Sequence, residues 1–436
     1  MSRLCPGPLQ HGMRRREADV SGMHRSIRSN FIWTLAGYAV YAACQWGMLV
    51  TLAKLGGPEM VGQFALGLAI AAPVFMFTNL QLRSVLATDA RGEYGFAAYL
   101  GLRLSSSLLG LIALAVIAAF ASKAAAYPAV LLVGTAKAIE SISDVHYGQL
   151  QRNERMEPIA RSLIAKGILS LGLFWVAVYL TRNLISALIG LNLAWLLVLV
   201  AYDMRRTGSS GWNRPCFRPG TLAQLARRSL PLGIMAMLVS LNVGIPRYFV
   251  EWRLGPAALG IFAALTYPMM AGTFVAAALG QAALPVLARR FAAEDGMPGP
   301  FQWLLLKVSS TGLLLGVIGV LLSVTAGRPL LALFYRPEYA RHADVLTWLA
   351  VAAALNYVAT FLNAGVTATR NFRALTVPYI LHALVAGGLS AALVSQNGLM
   401  GAAWASCGIS AAGCAIPMLI LVRTRNTARE CVAWAQ

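Results

Sequence analysis

Long apolar runs alternate with short polar gaps along the whole chain, and each run has about the length a bilayer demands. Runs near residues 31–53, 60–83, 96–121, 128–150, 158–180 and 184–203 come first. A polar stretch over 204–228 follows, rich in Gly, Ser, Pro and Arg. Six more runs lie near 230–252, 257–283, 301–326, 344–369, 374–395 and 398–422. A helix rises about 1.5 Å per residue, so roughly 20 apolar residues cross a hydrocarbon core of about 30 Å. The pattern therefore predicts an all-α integral membrane protein with about twelve transmembrane helices. The fourth and tenth runs are the least apolar, which leaves eleven as the alternative. In this reading residues 1–28 are a disordered basic tail and 29–203 a six-helix bundle. Residues 204–228 are the loop between bundles, 229–423 a second six-helix bundle, and 424–436 a tail.

One element recurs inside this pattern. Gly57-Pro58, Gly62, Phe64 and Ala65 reappear at one constant offset as Gly255-Pro256, Gly260, Phe262 and Ala263. A turn-plus-helix unit that returns after about half the chain points to two related halves. Both halves enter from the same side, so the repeat is parallel, about an axis along the membrane normal.

Composition narrows the class. Of 436 residues, 58% are hydrophobic and only 12% charged, against about 25% charged in a soluble domain. The formal charge of +20 would suggest nucleic acid in a soluble protein. Here the basic residues sit in the gaps between runs, where the positive-inside rule explains them and nucleic acid is not implied. Arg14, Arg15, Arg16, Arg83, Arg91, Arg152, Arg155, Arg205, Arg206, Arg289, Arg290, Arg423 and Arg425 all fall on one side if the N-terminus is cytoplasmic. The other side is sparse, with Lys54, Lys123, Arg182, Arg253, Arg328, Arg336 and Arg341. Both termini are therefore expected in the cytoplasm. The first thirty residues lack the apolar core of a signal peptide, and Met23 is an alternative start. The six cysteines include no CxxC pair, and no HExxH or GxxxxGK[ST] occurs. Metal, cofactor and P-loop nucleotide chemistry are not expected.

Charges inside a spanning helix cost roughly 2.5–3.5 kcal/mol each on insertion scales, so each needs a partner, a wet cavity or a function. Arg247 lies inside the seventh helix with Glu251 one turn on. It is either a cavity residue or half of an Arg247–Glu251 pair reaching the surface. Lys137, Glu140 and Asp144 form one stripe on the fourth helix, either an ion or proton relay or an internally neutralised packing stripe. Asn79 and Arg83 share a face at the end of the second helix, as a contact site or a positive-inside anchor. Gln45, Asn242 and Gln281 are amides on the first, seventh and eighth helices, suited to sugar hydroxyls or to bonds between helices. Arg103, Lys166 and Lys307 are expected to anchor helix ends. Trp33, Trp46, Trp252, Trp303, Trp348 and Trp404 are expected in interfacial belts, with stacking on sugar rings as the alternative for one or two. Pro73, Pro246, Pro268 and Pro285 interrupt helices, and Pro246 adjoins Arg247.

Several segments, in order, carry a resemblance: LGGPEMVGQFALG, TNLQLRSVLATDA, KAIESISDVHYGQLQ, IPRYFVEWRLGPAALGIFAAL and YRPEYA. Together they resemble the polysaccharide transporter family, the Wzx-type oligosaccharide flippases of O-antigen, capsule and exopolysaccharide assembly. That family shares a superfamily with multidrug and toxin extrusion transporters and lipid II flippases. The resemblance covers roughly residues 29–425. It implies two pseudo-symmetric six-helix bundles around a central cavity, working by alternating access in the bacterial inner membrane. The implied substrate is an undecaprenyl-pyrophosphate-linked oligosaccharide, with membrane lipids around it and a polysaccharide polymerase and glycosyltransferases as partners. Lipid II flippases carry two further helices, a departure that argues against a peptidoglycan substrate. Under this resemblance Arg247, Glu251, Asn79, Arg83, Gln45, Asn242 and Gln281 become substrate-binding candidates. Lys137, Glu140 and Asp144 become coupling candidates. A drug–cation antiporter is the alternative, and a membrane-embedded polymerase or acyltransferase a remote one.

Overall fold

A computed structural model describes the backbone of residues 8–89, 93–121, 126–207, 214–293, 299–369 and 376–435. The long helices are α1 (Pro8–Thr51), α2 (Pro58–Thr78), α4 (Phe96–Ala121), α5 (Tyr127–Arg152), α6 (Met156–Thr181) and α7 (Leu184–Val198) in the first half. A short α3 (Leu82–Thr88) extends α2, and α8 (Met204–Thr207) extends α7. The second half holds α9 (Pro219–Leu254), α10 (Pro256–Ala293), α11 (Pro300–Phe334), the short α12 (Pro337–Ala340), α13 (Ala343–Ala368) and α14 (Thr376–Ala435). No strand occurs among the described residues.

Ten helices among the described residues are long and apolar enough to cross a membrane. Two of the expected runs are absent from that set for physical reasons. The polar stripe of α5 lowers its hydropathy. The last two runs merge into the single stretch Tyr379–Val422. That stretch is broken at Gly398, whose φ of 57° and ψ of −132° leave the helical region. Its arms then fold back on each other: a side chain on Gly401 would meet the Leu393 carbonyl, one on Gly408 the Leu389 side chain, and the His382 ring lies 2.9 Å from the Ile409 carbonyl. At the other end of the chain, α1 starts at Pro8, so helix reaches back into the stretch read as a disordered tail.

Each half packs mainly on itself. In the first, α1 lies on α6, α6 on α7, and α5 sits among α2, α4 and α7. In the second, α13 is central, between α10, α11 and α14, and α9 lies on α14. The halves meet where α2 packs on α9 and α10.

That meeting is built from the repeat. Gly57 and Gly255 adopt one conformation, φ 94° and ψ 178° in the first copy, φ 85° and ψ 177° in the second. Positive φ of this kind favours glycine, and the following proline starts the next helix with its fixed φ. One turn on, the helices cross at their glycines. A Cβ on Gly62 would strike the Pro256 carbonyl, and one on Gly260 would strike the Pro58 carbonyl. Phe64, Ala65, Phe262 and Ala263 are buried around this crossing. From there the helices part. Helix α2 is followed by α9, with Gly233 against the Phe77 carbonyl, while α10 turns to α13, with Gly272 against Tyr357. The crossing defines a Gly-Pro end of the molecule; α10 leaves α2 there, while α2 and α4 stay packed on α9 to the other end.

Candidate functional site

The stripe on α5 is a network of charges, and it draws in residues from α1, α3 and α4 and from the turn after α2. Lys137 pairs with Glu140 at 2.7 Å, and Glu140 accepts a 3.0 Å hydrogen bond from the Tyr41 hydroxyl of α1. Gln45 lies one turn on along α1, partly exposed. Asp144 turns the other way, to Arg83 at 3.3 Å and Arg103 at 3.7 Å. Arg83 also donates to Tyr38 at 2.9 Å and Gln151 at 3.0 Å, and Arg103 donates to Asn79 at 2.5 Å. Both carboxylates of the stripe are thus paired with cations.

Asn79 and Arg83 do not lie on one continuous helix. Leu80 and Gln81 have φ of 50° and 49°, so the second helix ends at Thr78 and restarts at Leu82. The break turns Asn79 toward α4 and Arg83 toward α1 and α5. Arg103 and Lys166, expected as anchors at helix ends, are instead buried, with 0% and 2% of their side chains exposed. Both meet carboxylates, because a cation enclosed by helices has no route to the surface.

Lys166 closes a second cluster that the sequence did not disclose. Its ammonium lies 3.0 Å from Asp203 and 3.0 Å from the Tyr147 hydroxyl. Ser162 bridges the others, 2.7 Å from Tyr147 and donating to Asp203 at 2.5 Å. Asp203 ends the π-helical turn Leu199–Asp203 that follows α7. The extra residue of such a turn rotates the side chains after it. Nearby, His146 lies 2.6 Å from Thr207.

The second half carries a cation inside α9, near the seam with α2. Arg247 is partly exposed, and among the described residues it has no ion pair or hydrogen bond. The Arg247–Glu251 pair weighed from the sequence does not form; Glu251 is partly exposed. Arg247 is flanked by Tyr248 and Tyr267. Tyr267 is close enough to both Arg247 and Glu140 to feel the two charges.

The three amides differ. Gln45 is partly exposed on α1, one turn from Tyr41. Asn242 is buried and donates to the Tyr379 carbonyl of α14 at 3.4 Å, away from Arg247. Gln281 is exposed on α10 with no partner among the described residues. Trp46 is not an interfacial anchor, since its indole donates to Tyr335 at 2.9 Å and ties the two halves. Trp252 and Trp303 are largely exposed, as a belt requires. Helix α9 runs unbroken through Pro246. No group of His, Cys, Asp and Glu among the described residues is arranged to hold a metal ion.

Comparison with known proteins follows this geometry. The chain is 29% identical over 346 residues to the capsular polysaccharide biosynthesis protein CapF of Staphylococcus aureus, covering 79% of this chain and 86% of that protein. Among solved structures it is similar to an inward-facing multidrug resistance MATE family transporter of the MOP superfamily. The TM-score is 0.72 at 12% identity, over 91% of this chain and 98% of that one. The lipid II flippase MurJ in an inward closed conformation also gives 0.72 at 12% identity, over 90% and 87%. An outward-facing MATE transporter gives 0.59 at 14% identity, over 93% and 96%. These likenesses establish the fold, a multi-pass membrane architecture of two pseudo-symmetric bundles. The model of the family described as "Polysaccharide biosynthesis protein" matches residues 27–291, more than half of the chain, and the chain belongs to that family.

Proposed function

We propose that the protein is an inner-membrane flippase that carries a polyprenyl-pyrophosphate-linked oligosaccharide from the cytoplasmic to the outer face for surface polysaccharide assembly. The observation that carries this reading is Arg247. An arginine without a carboxylate partner, partly exposed near the seam between two bundles, is a standing site for an anionic group. Guanidinium matches pyrophosphate in a two-pronged geometry. The sugars face Gln45 and the rim of the α5 network, and Gln281 lies free farther along α10. The polyprenyl tail stays in lipid. The Gly-Pro end is the external end, both termini are cytoplasmic, and the two arms of Tyr379–Val422 cross separately, so that with α5 the spans number twelve.

The halves rock about the Gly62–Gly260 crossing. The higher likeness to the inward-facing and inward closed relatives than to the outward-facing one supports a state on the inward side of the cycle. A drug–cation antiporter needs unpaired carboxylates toward the cavity, and here Glu140 and Asp144 are both paired with cations.

The test is complementation. In a deletion strain, Arg247→Ala is expected to abolish surface polysaccharide while the protein stays at its normal membrane level. Full restoration of polysaccharide by that variant overturns the assignment of Arg247. Efflux of cationic dyes by the unaltered protein, with no effect on surface polysaccharide, overturns the flippase reading.

A further inference from the structure

A proline inside a helix withholds the amide that the carbonyl four residues earlier would have accepted. In α2 the carbonyl left over is that of Ala69, ahead of Pro73; in α10 it is that of Ala264, ahead of Pro268. Neither is bare. The Tyr248 hydroxyl of α9 donates to the Ala69 carbonyl, and the Tyr335 hydroxyl donates to the Ala264 carbonyl at 3.1 Å. The first bond joins the two halves directly. The second joins them through Trp46, whose indole donates to the Tyr335 oxygen at 2.9 Å. Among the described residues, no side chain donates to the carbonyls vacated by Pro231, Pro246 or Pro329. Capping of this kind occurs in the two helices that cross at the repeat glycines, one to two turns below the crossing.

We propose that Tyr248 and Tyr335 form a latch that holds the Gly-Pro end shut, and that Pro73 and Pro268 create its acceptors. The proposal rests on the reading of the chain as an alternating-access transporter. An unpaired carbonyl in a dry seam is costly, and water satisfies it as well as a hydroxyl does. The tyrosines are therefore held while the seam is dry and released without loss once it floods. A carbonyl already paired with its amide still accepts a second donor, as that of Met269 does from Tyr357 at 2.7 Å. It is not left bare when that donor leaves, so the bond across the halves has less to gain. Burial pushes the Tyr335 phenol up to about 12, so it remains a donor throughout the physiological range. At the surface above, Arg336 donates to the Lys54 carbonyl at 3.1 Å, so the turn after α11 is tied to the first half as well.

The experiment uses the full chain with its own cysteines replaced by serine and one reporter, Ala263→Cys, on the same face of α10 as Gly260. Labelling by a membrane-impermeant maleimide is followed in right-side-out and inside-out vesicles and normalised to protein level. Tyr248→Phe and Tyr335→Phe are each expected to speed labelling from the outer face about fivefold, the worth of one hydrogen bond. In a Pro73→Ala background the Ala69 carbonyl regains an amide, and Tyr248→Phe is expected to change labelling little. Unchanged labelling in both tyrosine variants overturns the latch. An equal rise with and without Pro73 also overturns it, because Tyr248 then acts by packing. A rise confined to inside-out vesicles upholds the latch and overturns the orientation given under the proposed function.

Discussion

Removing either member of the Lys166–Asp203 pair is expected to destabilise the first half more than any other single polar change. The charges are 3.0 Å apart, with 2% and 1% of their side chains exposed. At that distance and an effective dielectric of about 20, their attraction is ~5 kcal/mol. Desolvation of both groups offsets much of this, so the pair as a whole adds little. Removing one partner is different, because the other keeps its desolvation and loses its attraction, at about 3–5 kcal/mol. Lys166→Met leaves Asp203 with Ser162 alone, and Asp203→Asn leaves Lys166 with only the Tyr147 hydroxyl. The double variant Lys166→Met/Asp203→Asn carries no charge, and its expected loss is about 1–2 kcal/mol, well short of the sum of the singles. The assay is thermal unfolding of purified protein in detergent, read by loss of the monodisperse peak, with all three variants at equal concentration. The reasoning is refuted if either single variant matches the parent, or if the double unfolds below both singles.

The remaining predictions bear on separate parts of the structure. Gly62→Ala and Gly260→Ala each force a methyl group against a backbone carbonyl; each is expected to cost about 1–3 kcal/mol. Pseudo-symmetry requires the two losses to be alike in thermal unfolding and in polysaccharide output, so a large inequality counts against the symmetric crossing. Asp144→Asn strips the carboxylate from fully buried Arg103, an expected loss of about 3 kcal/mol in the same unfolding assay. Arg247→Lys is expected to leave stability within about 0.5 kcal/mol, because no ion pair is lost, yet to lower polysaccharide output in the complementation assay by removing the two-pronged contact. Trp46→Phe keeps the ring but not the indole N–H, and is expected to lower the unfolding temperature by the worth of one hydrogen bond, about 1 kcal/mol.

The parts of this fold legible in the sequence are those whose signal is local. Gly57-Pro58 and Gly255-Pro256 announce a turn that only glycine and proline make well, and the spacing to Gly62 and Gly260 survives into the crossing. Arg247 was legible because an arginine deep in an apolar run is conspicuous wherever its partner lies. Its pairing with Glu251 was not decided there, since spacing of one turn permits a contact without requiring one. The buried pairs were hidden for a different reason. Helical spacing reveals neighbours on one helix, whereas Lys166 meets Asp203 and Arg103 meets Asp144 across helices. Asp203 further lies at the end of a π-helical turn, where ordinary spacing gives the wrong face. The break at Leu80 and Gln81 involves neither glycine nor proline, so nothing in the composition marks it. Asn242 and Arg247 share a helix, but five positions at 100° each put them on different sides.

The character of α5 has a consequence for how the protein is made. The helix carries Lys137, Glu140 and Asp144 and ends at Arg152, each charge costing roughly 2.5–3.5 kcal/mol to insert alone. It does not partition into lipid by itself as it leaves the ribosome. Helix α4 precedes it and brings Arg103 to Asp144, so the two enter the bilayer as a hairpin with part of the charge already matched. Lys166 arrives next and stays uncompensated until residue 203 has been synthesised. Nascent chains halted between those two points are therefore expected to be the ones that membrane quality control recognises and removes.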